Sequence, residues 1–319
     1  MNHCTPDPAA RLPDELLELM QQVGPRWAAS GAVASNIALM CDAFGPVLAR
    51  APKAGVSVVV DLAYGTDPRQ VLDVYHAPSV PAPDARGKPV LVFLHGGAFV
   101  DGHRNKTSEI YSNVLYYFAR NGFVGINMEY RLAPASAYPG GTVDVAQAIE
   151  WVANNAHEFG GSAQRIFLMG HSSGGAHAAS YAFDRDFHSI NGSGIKGLII
   201  VSGRVRADVD PRNPNANKVR SYYGNDEQLL EARSPVSKAQ DVQIPTFIAF
   251  AEFENPLIDV HCLELASKIA SATGKSPRLL YMRGHNHTSI IAHINTCDDS
   301  LGSEIRAFVQ DNLISANEI

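Results

Sequence analysis

The stretch FLMGHSSGGAH, residues 167–177, passes from an apolar burst straight into two adjacent serines fenced by glycines. The burst belongs to RIFLMG (165–170), a strand pattern, and GGAHAASYAFD (174–184) after it reads as a helix. Gly170-His171-Ser172-Ser173-Gly174 therefore matches G-x-S-x-G at a strand end that opens a helix, the context in which this motif carries a nucleophile. So sharp a turn crowds the backbone around the hydroxyl, and a side chain at either flank would clash; hence the glycines. The register selects Ser172. For Ser173 to be the nucleophile, glycine would be needed at 171 and 175, and 171 is histidine. Ser173 instead offers its backbone N–H to an oxyanion at the start of the helix.

Around this turn, short β-branched runs alternate with amphipathic helical patterns. The strand candidates span 56–62, 71–77, 89–95, 123–130, 165–170, 197–203, 245–251 and 278–283. Several are continuously apolar, as strands buried on both faces of a parallel sheet should be. Helical patterns occupy 108–122, 143–160, 174–184, 259–274 and 300–313. The alternation predicts an α/β fold, a mostly parallel eight-stranded sheet flanked by helices in a single domain. No helix separates the first two strands, so a hairpin-like start with one antiparallel strand is expected. Two segments break the alternation: an apolar-rich helical region at 13–50, and a polar, irregular stretch at 204–240 containing DPRNPNAN and SYYGND. A long stretch of weak structure in a compact domain is usually functional, so 13–50 reads as an N-terminal cap and 204–240 as a lid-like insertion. Tyr222 and Tyr223 are candidate pocket walls.

The totals exclude some partners. Over 319 residues the formal charge is −6, which disfavours nucleic acid, since phosphate binding needs a basic footprint. No apolar run approaches the length of a membrane span. The acidic, proline-punctuated start MNHCTPDPAARLPDELLELM lacks the basic and apolar regions of a signal peptide. Cys4, Cys41, Cys262 and Cys297 are scattered without CxxC spacing, which argues against a disulfide framework or a zinc site and fits a reducing cytoplasm. Nothing calls for a cofactor or a metal. Self-association into a homo-oligomer is left open.

A serine hydroxyl is a poor nucleophile at neutral pH and needs a neighbouring base, oriented by an acid; on this fold the chain order is Ser, Asp/Glu, His. After the last strand, RGHNHTSIIAHI offers His285, His287 and His293; after the one before it, AFAEFENPLID offers Glu252, Glu254 and Asp259. His287 heads an apolar helix-like run and ranks ahead of His285, while His293 lies inside the run as a packed residue. Glu252 falls at the strand end, Glu254 at the first loop turn, and Asp259 reads as an N-cap. After the third strand, His95-Gly96-Gly97-Ala98-Phe99 supplies a glycine loop whose amides, those of Gly96 and Gly97, join Ser173 as oxyanion donors, with His95 bracing the loop.

These residues together resemble the α/β-hydrolase superfamily. EYRLAPASAYPGGTVDVAQAIEWV and FGGSAQRIFLMGHSSGG, within 129–175, are similar to the hormone-sensitive-lipase-like carboxylesterases. YGTDPRQVLDVYHAP (64–78), SG (202–203), SPV (234–236), EFENP (252–256) and NHTSIIA (286–292) resemble the kynurenine formamidase-like hydrolases. Against both patterns the acid falls on Glu254 and the base on His287. The resemblance implies a serine hydrolase with a Ser172–His287–Glu254 triad acting on a small-molecule ester or, in the formamidase case, an amide. Two departures accompany it: Ala98 stands where the lipase-like family usually has glycine, and Glu254 where aspartate is more usual.

Overall fold

A computed structural model of the chain describes residues 11–29, 31–241 and 244–314. Cys4 and the first ten residues of the stretch read above for a leader lie outside the described residues. In chain order the elements are α1 (Asp14–Val23), α2 (Val33–Ala49), β1 (Ser57–Ala63), β2 (Val71–His76), β3 (Lys88–Leu94), α3 (Ser112–Arg120), β4 (Val124–Met128), α4 (Gly140–Asn155), β5 (Gly161–His171) and α5 (Ser173–Phe183). They continue with β6 (Gly197–Val201), α6 (Ala216–Tyr223), α7 (Glu227–Arg233), β7 (Thr246–Phe253), α8 (Ile258–Thr273), β8 (Arg278–Asn286), α9 (Ser289–Ala292) and α10 (Ser300–Ile314).

The eight strands form one sheet in the order β1-β2-β4-β3-β5-β6-β7-β8. β2 runs antiparallel to both neighbours, and every pair from β4 to β8 is parallel. The expected single antiparallel strand is thus β2. The central strands look continuously apolar in sequence because both faces are covered, and their alternate side chains feed two different cores. Leu91, Phe93, Phe167, Met169, Ile199, Val201 and Phe247 face one core with α1, α2, α3, α9 and α10. Val90, Val92, Leu94, Ile166, Leu168, Leu198, Ile200 and Ile248 face the other with α4, α5 and α8. Each such buried aliphatic or aromatic side chain contributes on the order of 2 kcal/mol.

The segments outside the alternation differ from their sequence reading in one case. Residues 13–50 form α1 and α2, which pack Leu16, Met20, Met40, Phe44 and Leu48 onto the first core. Residues 204–240, read as irregular, contain α6, α7 and a 3-10 turn at Pro235–Asp241. Their order comes from tertiary contacts that local pattern does not display. Tyr222 and Tyr223 are buried, and together with Phe99 and Tyr138 they build a separate aromatic cluster. Asp226 caps α7, accepting from the Gln228 and Leu229 amides. The two tyrosines therefore anchor the segment and are not pocket walls, which corrects that expectation. Asp259 is also not a cap: α8 begins at Ile258 behind Leu257, with no side-chain cap bond.

Candidate active site

The parallel strands end their C-terminal edges on a common side, and the turns leaving β3, β5, β7 and β8 meet there. The turn after β5 is the tightest. Ser172 sits at φ 56°, ψ −120°, a left-handed conformation that a non-glycine residue holds only under tertiary constraint. A Cβ on Gly170 would lie 2.3 Å from the Gly174 carbonyl oxygen, and one on Gly174 would lie 2.4 Å from the Leu94 carbonyl oxygen. Both glycines of the motif are steric requirements, the second because α5 starts against the end of β3.

The structure places Ser172 Oγ 3.1 Å from His287 Nε2, and His287 Nδ1 2.6 Å from Glu254 Oε2. All three side chains are buried. Glu254 lies just beyond β7 and His287 just beyond β8. Nδ1 of His287 faces a carboxylate and so donates, which leaves Nε2 to accept the serine proton. Of the rival candidates, Glu252 is exposed and accepts the Gly284 N–H (2.7 Å), and His285 points to Asp298 (3.3 Å). His293 is fully buried.

The glycine loop after β3 departs in part from its reading. A Cβ on Gly97 (φ 152°) would sit 1.8 Å from the Asp101 carbonyl oxygen, and Ala98 and Phe99 also adopt positive φ. The Gly96 N–H donates to Tyr111 Oη (3.2 Å), so this expected oxyanion donor is directed elsewhere. The Gly97 and Ser173 amides remain; Ser173 opens α5, where a helix leaves its first N–H groups without intrahelical acceptors. His95 does brace the loop. Its Nδ1 bonds the Gly96 carbonyl (2.8 Å), its Nε2 bonds Glu129 (2.8 Å), and its ring stacks on Tyr130 at 4.3 Å. Burial pushes the Glu129 carboxyl up, but His95, the Arg104 N–H and Arg69 outweigh it and hold it at about 2.

Four supporting residues carried no assigned role in the sequence. Ser202, after β6 at φ 47°, donates its hydroxyl to Glu254 Oε1, which also takes the Ala251 N–H at 2.9 Å. The SG dipeptide at 202–203 was the available signal. Tyr111 and His171 form a bridge behind the serine. Burial, and secondarily the neighbouring His287, hold the His171 imidazole well below the usual histidine range. Its Nε2 donates to the His287 carbonyl (2.9 Å), and its Nδ1 accepts from Tyr111 Oη (3.2 Å). The glycine loop and the backbone of His287 are thereby tied through two buried side chains. Trp27, between α1 and α2, donates its indole N–H to Asn255 Oδ1 (2.9 Å) and so fastens the N-terminal segment beside Glu254.

Ser172 and His287 open onto a cavity of about 930 Å³. Ala28, Val33 and Ile37 of the N-terminal segment and Pro211, Arg212 and Lys218 of the 204–240 segment line its upper walls. Lys218 pairs with Asp101 (2.6 Å), linking that segment to the loop after β3.

The BD-FAE family model matches residues 72–262, well over half of the chain. This chain belongs to the BD-FAE family. Its eight-stranded sheet and flanking helices are those of the α/β-hydrolases. Esterase LipC of Mycobacterium tuberculosis is 40% identical over 112 residues, covering 35% of this chain and 26% of that protein. The isoprenylcysteine alpha-carbonyl methylesterase ICME of Arabidopsis thaliana is 31% identical over 138 residues, 43% of this chain and 30% of that one. The match thus spans less than a third of the length of these curated relatives. Among solved structures, an inhibited esterase B from Lactobacillus rhamnosis superposes with a TM-score of 0.72 at 18% identity, covering 95% of this chain and all of that one. A bacterial heroin esterase gives 0.70 at 22%, covering 94% and 98%. At 18% and 22% identity these likenesses show a shared fold. No described helix is long and apolar enough to cross a membrane.

Proposed function

We propose that this chain hydrolyses small to medium carboxylic esters through an acyl-enzyme on Ser172. The observation that carries the reading is the unbroken line Glu254–His287–Ser172, with spacings of 2.6 Å and 3.1 Å, whose Ser172 and His287 line a cavity of about 930 Å³. His287 Nε2 takes the Ser172 proton as Oγ attacks the ester carbonyl carbon. The oxyanion meets the Gly97 and Ser173 amides, each such donor being worth about 3 kcal/mol to the transition state. His287 returns the proton to the alcohol as the C–O bond breaks, then takes one from the water that releases the acid. Glu254 orients the imidazole and stabilises it when charged. The names of the relatives, esterases in each case given above, support an ester over other acyl substrates.

In this reading the chain works as one domain whose segments 13–50 and 204–240 act as cap and lid, setting acyl and alcohol preference from the cavity walls. A cytoplasmic setting fits the free thiols of Cys41, Cys262 and Cys297.

The test compares turnover of p-nitrophenyl acetate and butyrate with that of N-formylkynurenine, in the native chain and in Ser172→Ala. Ester turnover should dominate, and the variant should lose on the order of 10⁶ in kcat. Far faster hydrolysis of the formamide would replace the ester by a C–N substrate, and retained turnover in Ser172→Ala would remove Ser172 from the mechanism.

A further inference from the structure

We propose that His285, His293 and Asp298 form a binding site for a divalent transition-metal ion of the zinc type, bracketing the segment that carries His287 and separate from the Ser172 cavity. One donor atom from each of the three residues lies within 4.8 Å of the others. His285 is the last residue but one of β8, His293 follows α9, and Asp298 precedes α10, so the site joins three elements around the segment that carries the base.

The hydrogen bonds fix which atoms are free. His293 Nδ1 donates to the Ser289 carbonyl (2.9 Å), which leaves a lone pair on Nε2. The neighbour of that nitrogen is Ser300 Oγ at 3.5 Å. Ser300 has one hydroxyl proton, and it goes to Asp298 Oδ1 at 2.6 Å. The Nε2 lone pair of a fully buried imidazole is therefore left without a donor, which is costly unless something else meets it. Asp298 Oδ1 also takes the Ser300 N–H (3.1 Å), leaving Oδ2 to face His285 Nε2 at 3.3 Å. His285 Nδ1 has its own partner, Ser289 Oγ, at 3.3 Å. With their other valences satisfied, Nε2 of His285, Nε2 of His293 and Oδ2 of Asp298 are the atoms free to share an ion.

A carbonyl behind one ligating imidazole and a hydroxyl behind the other is the outer-shell arrangement that holds metal-binding histidines. Two imidazole nitrogens and one carboxylate suit Zn²⁺, Co²⁺ or Ni²⁺, whereas Mg²⁺ and Ca²⁺ prefer an all-oxygen set. Three protein ligands leave a fourth position for water, and the partly exposed Asp298 side chain gives the ion access. On binding, the proton that His285 Nε2 shares with Asp298 moves to Nδ1, which then donates to Ser289 Oγ, and the freed Nε2 lone pair meets the ion. Bound metal would clamp β8, α9 and α10 together and stabilise the fold by mass action.

Calorimetric titration of Zn²⁺ into the full chain, in a non-chelating buffer, tests this. One saturable site per chain is expected, with a Tm that rises as Zn²⁺ is added. His293→Gln and Asp298→Asn should each weaken binding by at least about tenfold. Cys297→Ser and His287→Asn should retain it, because neither the exposed thiol nor the base belongs to the site. Absence of saturable binding, undiminished binding in both ligand variants, or loss in Cys297→Ser or His287→Asn would each overturn the proposal. Should the ligand variants not fold, Co²⁺ added to the native chain decides: visible bands of a four-coordinate nitrogen and oxygen site support it, and thiolate charge-transfer absorption refutes it.

Discussion

The turn at 170–175 and the segment 204–240 border the same cavity from below and above, yet they are held in opposite ways. The turn is locked by backbone sterics: Gly170 meets Gly174, Gly174 meets the end of β3, and a strained Ser172 stands between them. The segment has short helices held by borrowed contacts: Tyr222 stacks on Phe99 at 4.9 Å, Tyr138 stacks on Tyr223 at 5.6 Å, and Lys218 reaches Asp101. The turn holds an atom at a fixed point; the segment holds a wall that side-chain exchange can reshape while the fold survives. A nucleophile must be placed to within a fraction of an ångström, whereas a pocket wall need only exclude water and fit the substrate.

The sharpest way to break this contrast is a methyl group at the turn. In Gly174→Ala the added carbon would lie 2.4 Å from the Leu94 carbonyl oxygen and 2.5 Å from that of His95, both backbone atoms with little room to retreat. Relief must come from shifting α5 against β3, which moves Ser172 and the Ser173 amide together. We expect kcat to fall by at least about 10²-fold, with a loss of stability as well. Steady-state kinetics and thermal melts would show it; kcat within twofold of native would mean that the turn is not sterically locked.

The same contrast explains what the sequence displays. The strand–turn–helix around Ser172 is a local code, since the residues that clash are neighbours in the chain or in the next strand. Glu254 and His287 are legible at one remove, from chain order and from the resemblance, because several acids and histidines stand close by and only the folded loops separate His287 from His285. The order within 204–240 is not legible, since Phe99 and Tyr138 lie far from Tyr222 in sequence. Nor is the diversion of the Gly96 N–H to Tyr111, fifteen residues on, or the tie between Trp27 and Asn255, 228 residues apart. Each is a long-range pairing that periodicity does not encode.

Next in size is Tyr222→Ala, which removes the ring that stacks on Phe99 and contacts His177 and Tyr223 edge-on. A buried aromatic truncated to alanine costs about 3–5 kcal/mol. Urea unfolding should show that loss, while kcat of the folded fraction stays within a few-fold of native. A kcat collapse matching that of Gly174→Ala would erase the distinction between the two regions.

His177 joins them: it lies on α5, and its Nδ1 is 3.3 Å from Tyr222 Oη. Burial, and secondarily His95, hold it down at about 3, against 6.5 for an ordinary histidine. Between those values the unfolded chain binds the proton and the folded chain does not, so stability present above pH 6.5 is lost as the pH falls. At pH 5 the loss from this group is about 2 kcal/mol. His171, also held low, adds to the same decline, so the diagnostic is the difference between native and His177→Gln. Comparing urea midpoints at pH 7 and pH 5, the variant should show the smaller drop; equal drops would remove His177 as a source of acid sensitivity.

The smallest effect should come from a position between the extremes, Ser202. Its hydroxyl and the Ala251 N–H share Glu254 Oε1, while Oε2 holds His287. Deleting the hydroxyl leaves the carboxylate one donor short but still fixed by a backbone amide, so the imidazole keeps its partner and loses part of its orientation. A hydrogen bond to a charged group is worth about 1.5–3 kcal/mol, and the surviving N–H recovers some of it. If the proposed triad holds, Ser202→Ala should therefore lower kcat by about tenfold and leave KM unchanged, because the residue touches Glu254 and does not line the cavity. A change in KM alone would place Ser202 among the wall residues. An unchanged kcat would mean that the Ala251 amide suffices, and that the acid, like the nucleophile, is positioned by backbone alone.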